Sequence, residues 1–153
     1  DDLKQQGKTL HDFLASLYEQ FGVYQESLMT IYMYGSSGMQ RMQQVMDQLR
    51  SASPRELGGQ QVMKMRDYLT HQITTAEGVT VFSGPTENLL FLELATAGHY
   101  VAVRPSGTEP KIKFYTFTRA DIEAGCSVEE TQGILNAVIQ LIEVDLQRFV
   151  DAE

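Results

Sequence analysis

Apolar residues recur at helical spacing near the start of the chain: Leu10, Phe13, Leu14, Leu17 and Phe21 fall at i, i+3, i+4, i+7 and i+11. That is the stripe of an amphipathic helix. Thr9 and Asp12 stand three apart as a capping pair, and Gly22 is placed to stop the helix. Residues 27–34 are apolar and aromatic without a clear period, a strand or a connector. Gly35-Ser36-Ser37-Gly38 then breaks the pattern and reads as a boundary. A second helix is predicted with Ser37 as N-cap and Gln40 as its box partner. Met39, Met42, Met46 and Leu49 form its stripe, and Pro54 prevents continuation. These methionines suit core packing better than a metal or partner surface, because Met fills irregular gaps on a buried helix face.

Beyond Gly58-Gly59 the period falls towards two. Met63 and Met65 alternate with Lys64 and Arg66 within a strand over 61–68, and Val79 and Val81 alternate before the turn Ser83-Gly84-Pro85. Residues 88–95 and 99–104 read as strands joined by a tight turn at Thr96-Ala97-Gly98. A further strand over 111–118 puts Ile112 and Phe114 on one face, Lys113 and Tyr115 on the other. The last element is a helix with Ser127 and Glu130 as capping box and Val128, Leu135, Val138, Ile142, Leu146 and Phe149 as its stripe. The order predicts an α+β fold, an antiparallel four-stranded sheet with helices packed on one face. Residues 1–33 are expected to lie outside that unit.

Composition narrows the function classes. With 153 residues, 42% hydrophobic and 21% charged, the chain has the make-up of a globular protein. Its net charge of -8 argues against a nucleic-acid binder, which needs a broad basic face. No apolar run reaches the roughly 20 residues of a membrane span, and Asp1-Asp2-Leu3-Lys4 lacks a signal-peptide layout. Neither nucleic acid nor membrane is therefore expected as a partner. Cys126, the single cysteine, cannot form an internal disulfide and suits a reducing, cytoplasmic setting. It reads as a small residue ahead of a helix. His11, His71 and His99 are isolated, with no metal-ligand spacing, and Asp121, Glu123, Glu129 and Glu130 read as a solvated helix start.

The basic residues are not evenly spread. Arg104, Lys111 and Lys113 fall within ten residues that hold one acid, Glu109, whereas Arg148 is the sole base after Arg119. Such a spot on an acidic protein attracts a small anion without attracting a polyanion. Between two strands, Arg104-Pro105-Ser106-Gly107-Thr108-Glu109-Pro110-Lys111 carries the groups a phosphate monoester needs. Arg104 offers a planar fork of donors, Ser106 and Thr108 add hydroxyls, and Lys111 or Lys113 adds a point charge. Gly107 admits close backbone approach and can take positive φ, while Pro105 and Pro110 stiffen both ends. The same residue types also make an ordinary polar hairpin loop. No G-x-x-x-x-G-K-[ST] motif is present, and no G-x-G-x-x-G follows a strand.

Residues 101–115, Val-Ala-Val-Arg-Pro-Ser-Gly-Thr-Glu-Pro-Lys-Ile-Lys-Phe-Tyr, resemble the phosphate-binding loop of the α-D-phosphohexomutases, which include phosphoglucomutase and phosphomannomutase. More weakly, residues 58–67 resemble the first strand of that family's fourth, C-terminal domain, a TBP-like fold. Residues 1–33 resemble the last helix and strand of its third. The resemblance divides the chain into 1–35, a remnant of the third domain and linker, and 36–153, the C-terminal phosphate-binding domain. It implies an enzyme in which a phosphoserine and Mg2+ move phosphate between C1 and C6 of a hexose phosphate through a bisphosphate intermediate.

By motif position the resemblance makes Arg104, Ser106, Gly107, Thr108 and Lys113 the contacts to the non-reacting phosphate. Glu109 and Lys111 receive no clear ligand role. The family's Ser-His-Asn-Pro nucleophile loop and its aspartates spaced two apart do not occur here, and Ala52-Ser53-Pro54 lacks the His and Asn. No catalytic residue, metal ligand or cofactor is therefore expected in this piece, with Mg2+ expected in the full-length parent. The partners implied are a phosphorylated hexose and the preceding domains of the same chain. The rival class is a non-catalytic anion- or protein-binding module.

Overall fold

The computed structural model describes Gly7 and residues 9–152; Asp1–Lys4, inspected above for a signal sequence, lie outside the described residues. Helix α1 (Leu10–Phe21) is followed by strand β1 (Val23–Tyr32), helix α2 (Gly38–Ser51) and the short β2 (Glu56–Leu57). Strands β3 (Gln60–Asp67), β4 (Gln72–Thr75), β5 (Gly78–Val81), β6 (Leu90–Leu94), β7 (Tyr100–Pro105) and β8 (Lys111–Ala120) precede helix α3 (Val128–Asp151). The sheet runs in the order β1-β8-β7-β6-β3-β4-β5, with β2 beside β3, and every pairing is antiparallel.

The α+β class holds, but the sheet is wider than four strands. β3, β6, β7 and β8 form its centre, and β1 and the β4–β5 ribbon extend it at opposite edges. The expectation that residues 1–33 lie outside the unit is corrected for β1. All ten of its residues pair with β8, from Val23 opposite Ala120 to Tyr32 opposite Lys111.

One face of the sheet is closed. Leu90, Leu92, Leu94, Val101, Val103, Ile112 and Phe114 meet Met42, Val45, Met46 and Leu49 of α2 and Ile142, Leu146 and Val150 of α3 in one cluster. Both helices therefore cover the same face. Phe114 is fully buried, so Phe114→Ala would cost about 3–5 kcal/mol through lost transfer energy and a cavity. A polar tie fixes α2 against the sheet: Arg50 Nε donates to Asp67 Oδ2 at 3.2 Å, and its Nη2 donates to Asn88 Oδ1.

The capping residues behave in two ways. Thr9–Asp12 and Ser127–Glu130 form reciprocal boxes. Ser37 makes no cap hydrogen bond with its side chain, and its ψ of 1° departs from the extended backbone that an N-cap takes. Met39 is exposed, and the buried stripe is Gly38, Met42, Val45, Met46 and Leu49. Helix α1 has no buried residue, so its apolar stripe faces outward. Its end is fixed at Gly22 (φ 87°), where a Cβ would stand 2.8 Å from Ala120 O and 2.9 Å from Arg119 Nε. Arg119 donates to Phe21 O there.

Two outcomes follow from the packing. Proteolysis should begin at the exposed break by Tyr34 (86% exposed), yet the pieces should co-elute natively and part only in denaturant, held by the β1–β8 ladder. An N-terminal piece that washes away under native conditions would contradict that. His99 is buried (6% exposed), its Nε2 3.0 Å from Arg119 O and its Nδ1 3.1 Å from Gln60 Oε1. Burial lowers its pKa from the ordinary 6.5, more than the Arg119 carbonyl raises it. The unfolded chain then binds the proton more readily, so His99's contribution to stability is complete above pH 6.5 and is lost as pH falls below it. Denaturant midpoints of wild type and His99→Gln should differ in slope in that window; parallel curves would refute the assignment.

Candidate functional site

Strict alternation along β7 and β8 decides which side chains can act. Val101, Val103, Ile112 and Phe114 are drawn into the core, so Arg104, Lys113 and Tyr115 must face the other way. Arg104 and Lys113 are partners across the ladder. Their side chains, with Pro105, Ser106, Gly107, Glu109, Lys111 and Tyr115, line a recess of about 310 Å³. The structure thus gathers Arg104, Ser106, Gly107 and Lys113 from the expected set. Thr108 sits on the exposed turn and is not among the lining residues.

The turn is braced from within. Ser106 N donates to Lys111 O at 2.9 Å, and Lys111 N donates to Glu109 O at 2.8 Å. Ser106 Oγ accepts from Thr108 N at 3.4 Å and Glu109 N at 3.3 Å. With its oxygen used inside the loop, the Ser106 hydroxyl keeps its proton for an acceptor placed in the recess. Pro110 O accepts from Met33 N at 2.8 Å, and a Cβ on Gly38 would lie 3.0 Å from Pro110 Cβ. The break at 35–38 therefore stands against the loop and buttresses it. Gly107 does not take the positive φ expected of it, and a Cβ there would meet nothing within 4 Å. Its lack of a side chain matters only for what approaches from outside.

The cations are not equivalent. Lys111 Nζ donates to Glu109 Oε2 and lies 5.4 Å from the Tyr32 ring centroid. The Glu109 carboxylate holds its ammonium above the ordinary value. Arg104 has one loose ion pair, Nη2 to Glu87 Oε2 at 3.7 Å. Lys113 has no ion-pair partner among the described residues. Arg104 and Lys113 are thus the charges free to meet an anion. Glu87 escaped the sequence reading because it lies 17 residues before Arg104, and only the β6–β7 pairing brings it near. Tyr32 and Tyr34 stack on each other with centroids 6.0 Å apart and remain exposed.

A larger recess of about 560 Å³ lies between the end of α2 and β3–β4, with Arg50, Arg55 and Lys64 among its lining residues. Two of its cations are already spent, Arg50 on Asp67 and Lys64 on Glu93. Among the described residues no group of three or more His, Cys, Asp or Glu side chains could hold a metal ion, and no helix is long and apolar enough to cross a membrane.

Comparison with known proteins gives the site its context. No family model matches the chain. A phosphoglucomutase of Staphylococcus haemolyticus is 35% identical over 124 residues, 78% of this chain and 22% of that protein. A phosphoglucomutase of Staphylococcus aureus is 35% identical over 116 residues, 74% of this chain and 21% of that protein. The chain is a homologue of phosphoglucomutases. It spans about a fifth of the length of these curated relatives, consistent with a C-terminal fragment of such an enzyme. A solved structure of parafusin, a Paramecium phosphoglucomutase in an open form, is 15% identical with a TM-score of 0.49, over 95% of this chain and 25% of that one.

The unequal cations give a test that needs no catalysis. Lys113→Ala should weaken sulfate binding to the 153-residue chain roughly three- to tenfold, as exposed charge contacts do. Lys111→Ala should change it less than about twofold, because Glu109 already neutralises that amine. Equal losses in calorimetric titrations would show that Lys111 is not held back by Glu109.

Proposed function

We propose that this chain is the phosphate-gripping C-terminal part of a phosphosugar mutase, an intramolecular phosphotransferase of the isomerase class that interconverts hexose 1-phosphate and hexose 6-phosphate through a bisphosphate intermediate. Residues 36–153 would form the phosphate-binding domain, with β1 joined to its sheet along β8 and helix α1 as the part that leads back to the preceding domain. The observation that carries the reading is the pairing of Arg104 with Lys113 on the open face beside the Ser106-braced turn. The homology to phosphoglucomutases supports it.

In this reading the Arg104 guanidinium donates to two oxygens of the non-reacting phosphate, and Lys113 adds charge from the neighbouring strand. The Ser106 hydroxyl and the Gly107 N–H add donors from the recess itself, and the Thr108 hydroxyl would have to turn in from the exposed turn to join them. Holding the distal phosphate orients the sugar and keeps the other phosphate within reach of the transferring group, so part of this binding energy serves the rate. The nucleophile would come from outside this chain. Mg2+ would supply charge neutralisation at the transferring phosphate, but the residues described here do not fit a magnesium site, so its ligands belong to the rest of the enzyme. A hexose phosphate as substrate, with mannose phosphates alongside glucose phosphates, and a cytoplasmic location complete the proposal.

Steady-state kinetics on the full-length enzyme test it. Arg104→Ala removes a bidentate, charge-assisted contact worth about 2–3 kcal/mol, so kcat/KM should fall roughly 30- to 150-fold, with part of the loss in kcat. Lys111→Ala should fall much less. The 153-residue chain alone should turn over neither glucose 1-phosphate nor mannose 1-phosphate. Wild-type kinetics from a folded Arg104→Ala enzyme would reduce the loop to a turn and return the chain to the class of binding modules.

A further inference from the structure

The carboxylate nearest Arg104 is held on a fixed backbone. Glu87 N donates to Tyr68 O at 3.3 Å, Leu89 N donates to Glu87 O at 2.8 Å, and Tyr68 N donates to Leu89 O at 3.0 Å. The next residue, Asn88, accepts from Arg50, whose side chain is only 14% exposed. Leu90 opposes Val103, so the approach to β6 runs beside the end of β7 that carries Arg104. Glu87 itself lies in the irregular segment ahead of β6, and these backbone bonds to Tyr68 tie that segment down beside the guanidinium. The Glu87–Arg104 contact is weak all the same: a single 3.7 Å approach between side chains 62% and 51% exposed.

We propose that Glu87 is a resident competitor for the anion site, occupying the Arg104 guanidinium when no phosphate is bound and yielding it when one arrives. The inference rests on the reading of Arg104 as a phosphate ligand. An exposed, end-on ion pair contributes little in water. A phosphate dianion brings twice the charge and two oxygens that match the guanidinium fork, so the exchange favours it. A monoanion brings one charge and gains little over the carboxylate it must displace. Glu87 thereby raises the threshold for occupancy and makes the recess selective for dianions. It also gives Arg104 a partner when phosphate departs, which lowers the cost of release. Glu109 treats Lys111 differently: that pair is close, and Lys111 is only 16% exposed. It acts as a fixed neutralisation, not an exchangeable one.

Calorimetric titration of the 153-residue chain with inorganic phosphate near pH 8, where the dianion dominates, tests the idea with the wild type and four variants. Glu87→Gln keeps the backbone bonds and should tighten binding roughly two- to tenfold, the scale of an exposed ion pair plus relieved repulsion. Arg104→Ala should abolish most binding, and Glu87→Gln in that background should add nothing further. Glu77→Gln, in the β4–β5 turn, makes the same change in net charge and should leave the affinity at the wild-type value. Arg104-dependent binding that is unchanged by Glu87→Gln, or raised as much by Glu77→Gln, would remove the competitor and leave the phosphate site standing. Binding that Arg104→Ala does not weaken would overturn the site and the competitor together.

Discussion

The antiparallel pairing of Tyr100–Pro105 with Lys111–Ala120 constrains most of what surrounds it. Six residues of β7 are matched to six of β8, and the side-chain period of a strand is two. Once Val101, Val103, Ile112 and Phe114 are committed to the core, Arg104, Lys113 and Tyr115 have no choice of face. A slip of β8 by one residue would turn Lys113 towards the core and expose Phe114. The hydrophobic core therefore enforces the position of the charges, and the site inherits the rigidity of the sheet's centre. The five residues between the strands are left to close the hairpin, which they do with Ser106 as an internal acceptor and Pro110 pinned by Met33.

The same register explains why the open face holds other ordered groups. Phe91, Tyr100 and Phe117 come from three adjacent strands and stack with centroids 4.4 and 4.6 Å apart. At one end of that row Glu93 is held by Lys64 and Arg66. Burial pushes its carboxyl up, but those two cations outweigh burial and keep it below the ordinary range. These interactions spend the charges of Lys64 and Arg66. Arg104 and Lys113, two same-face pairs further along towards the turn, remain open to an incoming anion, and that contrast singles out the recess more clearly than its size.

Much of this was legible in the sequence for identifiable reasons. Helices α1 and α3 announce themselves by capping boxes and 3.6-residue stripes, and the four central strands by buried alternation. β1 was ambiguous because its inward positions include Gln25 and Ser27, the latter donating to Glu143 of α3, while its outward positions include Tyr24, Leu28 and Tyr32. With apolar and polar residues on both faces, a period of two does not stand out. β5 is exposed throughout, so burial imposed no pattern that could fix its partner. The Ser37–Gln40 box looked right in composition and failed on backbone geometry. Arg104, Ser106, Gly107 and Lys113 could be chosen from their order in the loop. Glu87 could not, because its place depends on a strand pairing that no local motif encodes.

The central claim is that this turn, and not another surface, meets the phosphate of a sugar phosphate. Amide and side-chain NMR shifts of the 153-residue chain, titrated with glucose 6-phosphate and separately with glucose, address it most directly. Saturable shifts confined to residues 104–113 and the Glu87 region are expected with the phosphorylated sugar, and none with glucose at equal concentration. Shifts centred elsewhere, such as the recess between α2 and β3, or equal shifts with the unphosphorylated sugar, would contradict it.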